Sequence, residues 1–276
     1  QAVLKYREVF LRNDSERYLD FIEKAHKGEI SIKTKTLYPY QIIRDIKDLE
    51  YATGYEGDKT LDTLWDNLPN YVRDENSNDI AVVDTSGSMY AGFYGNVLPI
   101  YVSISLGIYF AERNKGIFKD HFITFSDKPE LVEIIGNGVC EKARNMTKAN
   151  WGYNTDIEAV FDLLLDTAKK YNLDQEELPK RLFIISDMEF DKAIGCIEDK
   201  ETLMKSIERK WKDLGYKVPQ LVFWNVDAKT SQVPVTKTDE GVILVSGCSP
   251  VIFEKVISGD DINPYDMMLE ILNSER

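Results

Sequence analysis

Apolar side chains in this chain follow two different spacings, and the change between them falls near Asn78. Before that point the spacing is helical. Ser15 is placed to cap a helix whose apolar face carries Leu19, Ile22 and Ala25 and which stops near Gly28. A short extended stretch, EISIKTKTLY, leads to Pro39, which opens a second helix through Ile42, Ile43, Ile46 and Leu49. A third carries Leu61, Leu64, Trp65 and Leu68 at i, i+3, i+4 and i+7 and ends at Pro69. The polar run RDENSND then reads as a surface linker.

From Asp79 onward, short runs rich in β-branched residues alternate with longer amphipathic ones. The short runs predict strands over 80–84, 121–126, 130–134, 181–186, 220–226 and 241–247. Helices are predicted over 96–114, 139–149, 155–171, 201–214, 249–257 and 264–273. The 155–171 helix places Ile157, Val160, Phe161, Leu164, Leu165 and Ala168 on one face. Strands that are apolar at nearly every position have to be covered on both sides. The fold class is therefore α/β, a doubly wound, mostly parallel, Rossmann-like sheet. The runs 121–126 and 130–134, joined through Asp127, Lys128 and Pro129, predict a hairpin and hence one antiparallel edge strand. The domain reading is a helical N-terminal segment over 1–77 and an α/β domain over 78–276.

Composition narrows the function classes. A formal net charge of −13 over 276 residues disfavours a general nucleic-acid binder, because such binding rests on basic side chains displacing counterions. Cys140, Cys196 and Cys248 are far apart and odd in number, without zinc-like spacing, which speaks against a disulfide framework. His26 and His121, the two histidines, both lie in apolar company and read as structural, leaving little for a histidine metal site or a catalytic triad. The charged N-terminus is unlike a signal peptide, and the apolar stretch from Val97 to Ala111 is too short and too polar to span a bilayer. Together these predict a reduced, cytoplasmic protein with no membrane partner. The first residue is Gln1 and not Met, which reads as a fragment or processed chain with a region missing upstream.

In doubly wound sheets, ligands bind beyond the carboxyl ends of the strands. After the first predicted strand come Asp84, Ser86 and Ser88, with Gly87 allowing a tight turn; after the fourth comes Asp187. Thr155 opens the 155–171 helix after the loop ANWGYNTD, a position that also suits an N-cap, and Asp156 reads as a first-turn residue favoured by the helix dipole. Two carboxylates and three hydroxyls suit a hard cation such as Mg²⁺, which prefers oxygen ligands and keeps some waters. The bland alternative is an ordinary turn rich in Ser and Gly. Tyr90, Phe93 and Tyr94 beyond the loop read equally as binding-face aromatics or as loop packing. Glu189 and Asp191 read equally as rim charges or solvated acids.

DTSGSM resembles the D-x-S-x-S motif of von Willebrand factor type A (vWA) domains, the first segment of their metal-ion-dependent adhesion site. Thr155 and Asp187 match the family's later ligands in order and context. The resemblance implies that Ser86 and Ser88 ligate the ion directly, Thr155 directly or through water, and Asp84 and Asp187 mainly through water. The ion would be Mg²⁺, or Mn²⁺ or Ca²⁺, and its open position would take an acidic side chain from a protein partner. RLFIISDMEFDKA and KGEISIKTKTLYPYQII are similar to a DUF2828-type group of intracellular proteins, with a wider kinship to the Ro (TROVE) ribonucleoproteins. That kinship implies an upstream helical-repeat region whose tail would be residues 1–77, and RNA contact only through that missing region. Other readings are an accessory domain of a Ro-like ribonucleoprotein, or a Mg²⁺-dependent phosphohydrolase. The phosphohydrolase needs D-x-D, and Ser86 stands where its second aspartate, the general acid, belongs. No Walker loop is present either, so no catalytic residue is assigned and the chain is expected not to be an enzyme.

Overall fold

The strands form where the apolar runs predict them, and they pair into one sheet. A computed structural model of the chain describes residues 2–46, 49, 58–72, 78–91, 97–149, 156–187, 200–227, 235–237, 242–247, 250–258, 269, 272 and 273. Its strands are β1 (Asp79–Val83), β2 (His121–Thr124), β3 (Leu131–Glu133), β4 (Arg181–Ser186), β5 (Gln220–Asn225), β6 (Val235–Lys237) and β7 (Val242–Ser246). They lie in the order β3-β2-β1-β4-β5-β7-β6. All neighbours are parallel except at the two edges. There β3 pairs antiparallel with β2, as the predicted hairpin requires, and β6 pairs antiparallel with β7. The second antiparallel edge was not expected: β6 is a three-residue Val-Thr-Lys strand, too short to show a period.

The central strands feed two cores by simple alternation. Ile80 and Val82 of β1, with Leu182 and Ile184 of β4, enter one core, together with α7 (Ile157–Tyr171) and α8 (Lys200–Asp213). Ala81, Val83, Phe183 and Ile185 enter the other, beneath α5 (Pro99–Arg113), α6 (Val139–Met146) and α9 (Pro250–Ser258). Of the helix expected over 264–273, only residues 269, 272 and 273 are described, all helical.

The residues before Asn78 add a further layer on that second side. They form α1 (Ala2–Asn13), α2 (Ser15–His26), α3 (Pro39–Arg44) and α4 (Lys59–Asp66). Leu37, Ile42, Ile43, Leu61, Leu64, Trp65 and Leu68 share one core with α5, α6 and the sheet. This explains why α5 is apolar nearly all round: covered by the sheet on one side and α3 on the other, it is a buried helix and not a membrane stretch. Polar contacts join the layers as well. Asp62 on α4 accepts the Cys140 N–H of α6 at 3.2 Å and so caps a helix in another part of the chain. Gly138 leaves room for that carboxylate, since a Cβ there would lie 2.5 Å from it.

Several local expectations shift. The cap of α2 is Asp14, whose carboxylate accepts the Arg17 N–H, and Ser15 is the first helical residue. Its buried face is Tyr18, Ile22 and Ala25, while Leu19 is 53% exposed. Gly28 does close this end, in a left-handed conformation with φ +74°. EISIKTKTLY joins no strand, and α3 ends at Arg44, with Ile46 and Leu49 buried beyond it. Neither histidine is buried in apolar company: His26 faces Asp66 at 3.9 Å, and His121 lies on the Lys119 carbonyl at 2.6 Å.

Gly107 marks the closest approach of α5 to the sheet. A Cβ there would lie 2.8 Å from Val83 Cγ2 and 2.8 Å from Met146 Cε. Met146 can rotate away; Val83, locked in the central strand, cannot. Gly107→Ala should therefore destabilise the chain by about 1–3 kcal/mol through overpacking, reduced by up to about 1 kcal/mol of gained helix propensity. A urea melt reads the sign: a stabilised variant would mean that α5 slides freely over β1.

Candidate metal centre

The register of β1 against β4 decides what meets at the strand ends. Asp79 pairs with Arg181 and Val83 with Ile185. The Asp84 N–H extends the ladder by donating to the Ile185 carbonyl at 3.0 Å, which sets Asp84 beside Ser186 and Asp187. Asp84 is 1% exposed and is held from three directions. Its Oδ1 accepts the Ser86 N–H at 2.9 Å and its Oδ2 accepts the Ser186 hydroxyl at 2.6 Å. Its main-chain carbonyl accepts the Ser103 hydroxyl of α5 at 2.9 Å.

The loop beyond Asp84 brings the remaining oxygens into line. Residues Gly87–Tyr90 form a short 3₁₀ turn, with Met89 fully buried beneath it and so anchoring the loop. The Ser86 and Ser88 hydroxyls lie 2.9 Å apart, and Ser88 Oγ donates to Asp187 Oδ1 at 3.2 Å. Gly87 is not needed for the turn. Its φ is not in the left-handed region, and a Cβ there would meet no atom within 4 Å. Burial pushes the Asp84 carboxyl above the usual carboxylate range, and the nearby Asp187 charge pushes it the same way; the Ser186 and Ser86 contacts pull it back.

Four of the five predicted ligands, Asp84, Ser86, Ser88 and Asp187, thus fall within one hydrogen-bonded cluster, linked through the Ser86 N–H and the two serine hydroxyls. Thr155 lies outside the described residues, as do Phe93, Tyr94, Glu189 and Asp191. The cap of the following helix is Asp156, whose carboxylate accepts the Ala159 N–H at 3.0 Å. The donor set fits a hard cation: it contains only oxygen, two of its members are carboxylates, and one of these, Asp84, is buried. Among the described residues no group of three or more His, Cys, Asp or Glu side chains is placed to hold a metal ion, so the hydroxyls are essential to any such site.

Sequence reasoning missed Ser186 and Ser103. Ser186 sits directly before Asp187 and looked like the last residue of a strand; Ser103 looked like a polar interruption of an apolar helix. Elsewhere, burial raises the Cys140 thiol to about 12, which leaves it protonated and unreactive near neutral pH. Among the described residues no helix is long and apolar enough to cross a membrane.

Comparison with known proteins places this site in a family. Residues 78–271 match the family described as Domain of unknown function (DUF7788). The chain belongs to the DUF7788 family. A relative, uncharacterized protein L728 of Acanthamoeba polyphaga mimivirus, is 31% identical over 258 residues, 92% of this chain. The crystal structure of the Ro (RSR) protein of Deinococcus radiodurans superposes with a TM-score of 0.58 at 15% identity over 94% of this chain. The fold is therefore vWA-like. That match leaves out fewer residues than the 77 before Asn78, so the likeness takes in part of the helical segment. This DUF7788 chain spans 43% of the viral relative's length and 52% of the Ro chain.

Proposed function

We propose that this DUF7788 chain is a divalent-cation-dependent protein-binding module and not an enzyme. In this reading Asp84, Ser86, Ser88 and Asp187, with Thr155, hold Mg²⁺ or a similar ion at the strand ends, and the ion takes a carboxylate from a protein partner. The supporting observation is the hydrogen-bonded cluster in which the Ser86 N–H donates to Asp84 while the Ser86 hydroxyl meets that of Ser88, which donates to Asp187. Two carboxylates only balance a 2+ charge, so the ion keeps an appetite for a further anionic ligand. The bound ion would supply that Lewis-acid contact; the protein supplies its seat and, through the buried Asp84, a low-dielectric wall that strengthens the attraction. Ser86 stands where a phosphohydrolase places its general acid, which favours binding over turnover.

The test is equilibrium binding of an acidic peptide library with Mg²⁺ and with chelator. Ligands retained with Mg²⁺ should depend on a Glu or Asp side chain and be released by chelator. A library with no chelator-sensitive binder would overturn the reading, as would phosphatase turnover that is lost in Asp84→Asn.

The likeness to the Ro (RSR) protein favours a second reading, an accessory domain within a Ro-like assembly, with any RNA contact made by other parts of that assembly. With a net charge of −13, this chain should not bind RNA itself. Steeply salt-dependent RNA binding by the 276-residue chain would contradict that.

A further inference from the structure

An aspartate that holds an ion through its water shell is useful only if its carboxylate is fixed in orientation, because the shell reads lone-pair direction. Asp84 ends a central strand, and the torsion that turns its carboxylate is intrinsically soft. Two contacts stop that rotation: the Ser86 N–H on Oδ1 at 2.9 Å and the Ser186 hydroxyl on Oδ2 at 2.6 Å. The first comes from the metal loop itself and moves with it. The second comes from β4, which is paired on one side with β1 and on the other with β5, where Ser186 lies opposite Asn225.

We propose that Ser186 is a positioning residue for the ion site, setting the plane of the Asp84 carboxylate from the rigid centre of the sheet. This rests on the ion-binding reading above. Ser186 is fully buried and adjoins Asp187, so β4 contributes both a ligand and the support for the ligand on β1. A carboxylate oxygen offers two acceptor sites, so neither of these bonds by itself closes Asp84 to the ion or its waters. Ser103 provides a matched contrast. It is equally buried and its hydroxyl also donates to Asp84, at 2.9 Å, but to the main-chain carbonyl. Losing Ser103 loosens the strand end without freeing the carboxylate to turn.

Binding of Mn²⁺ to the full 276-residue chain, read by the loss of the free-ion paramagnetic resonance signal, tests this in the wild type, Ser186→Ala and Ser103→Ala. Supporting partners of metal ligands typically account for 10–100-fold in affinity, so Ser186→Ala should weaken Mn²⁺ binding by roughly 10-fold or more. Ser103→Ala should lower the ion-free melting temperature as much as Ser186→Ala does, yet leave Mn²⁺ affinity near wild type. Should alanine at 186 unfold the chain, Ser186→Cys fills the same space with a weaker donor and should show a smaller loss in the same direction. Wild-type binding left undiminished by Ser186→Ala or Ser186→Cys overturns the proposal alone. So does an equal affinity loss in Ser103→Ala. A wild-type chain that takes up no Mn²⁺ overturns the ion reading together with it.

Discussion

Arg181→Leu should cost about 3–5 kcal/mol of stability, because it strands a buried carboxylate. Arg181 opens β4 directly opposite Asp79, which opens β1, and their side chains are 15% and 3% exposed. The guanidinium grips the carboxylate with two parallel bonds, Nε to Oδ1 at 3.0 Å and Nη2 to Oδ2. Two of its remaining donors reach the carbonyls of Val256 and Ile257 at 2.9 Å each, satisfying two carbonyls at the C-terminal end of α9. Leucine fills the space but removes the guanidinium with which the buried Asp79 carboxylate is paired. Lysine would keep the charge but cannot reproduce the fork, so Arg181→Lys should recover only part of the loss. The informative comparison is the double variant Asp79→Leu/Arg181→Leu. Once both charges are gone the desolvation penalty goes with them, so the double variant should be more stable than Arg181→Leu alone. Urea melts of the three proteins read this directly. Additive losses would mean that the pair is solvated and the grip unimportant.

The same register explains which parts of the molecule were legible in the sequence. D-I-A-V-V-D and R-L-F-I-I-S-D are two buried strands with polar ends, and burial on both faces makes every position between the ends apolar. The β1–β4 pairing then puts a salt bridge at one end and the oxygen cluster at the other, so Asp84 and Asp187 could be paired by eye. Features that depend on tertiary placement were hidden. β6 has three residues and no period to read. Ser186 and Ser103 gain their meaning only from standing within hydrogen-bonding distance of Asp84. Gly87 illustrates the opposite error: a glycine in a turn motif suggested a conformational need that its backbone does not have. Asp14 and Asp156 cap helices where Ser15 and Thr155 stood ready one residue away, a shift within the ordinary uncertainty of helix ends.

The response of the chain to Mg²⁺ should reverse the stability order of wild type and Asp84→Asn. In chelator the ionised Asp84 is a burden. Its carboxyl is pushed upward by burial, and a group whose folded pKa is raised contributes stability at low pH that is lost as pH rises through that raised value. Asparagine removes the charge and keeps both contacts: its carbonyl accepts the Ser86 N–H, and its amide donates to a Ser186 hydroxyl turned to accept. Asp84→Asn should therefore melt at or above wild type in chelator. With Mg²⁺ at about 100 times its dissociation constant, an ion that binds only the folded state adds about 2.7 kcal/mol. For a chain of this length that corresponds to roughly 5–10 °C in wild type. Asp84→Asn, with one of the two described carboxylates of the site gone, should show little of that shift. Because asparagine leaves the hydrogen bonds of the loop in place, a lost response cannot be blamed on a collapsed loop. Equal Mg²⁺ shifts in the two proteins would remove Asp84 from the site, and no shift in either would leave the strand-end cluster as a hydrogen-bonded turn.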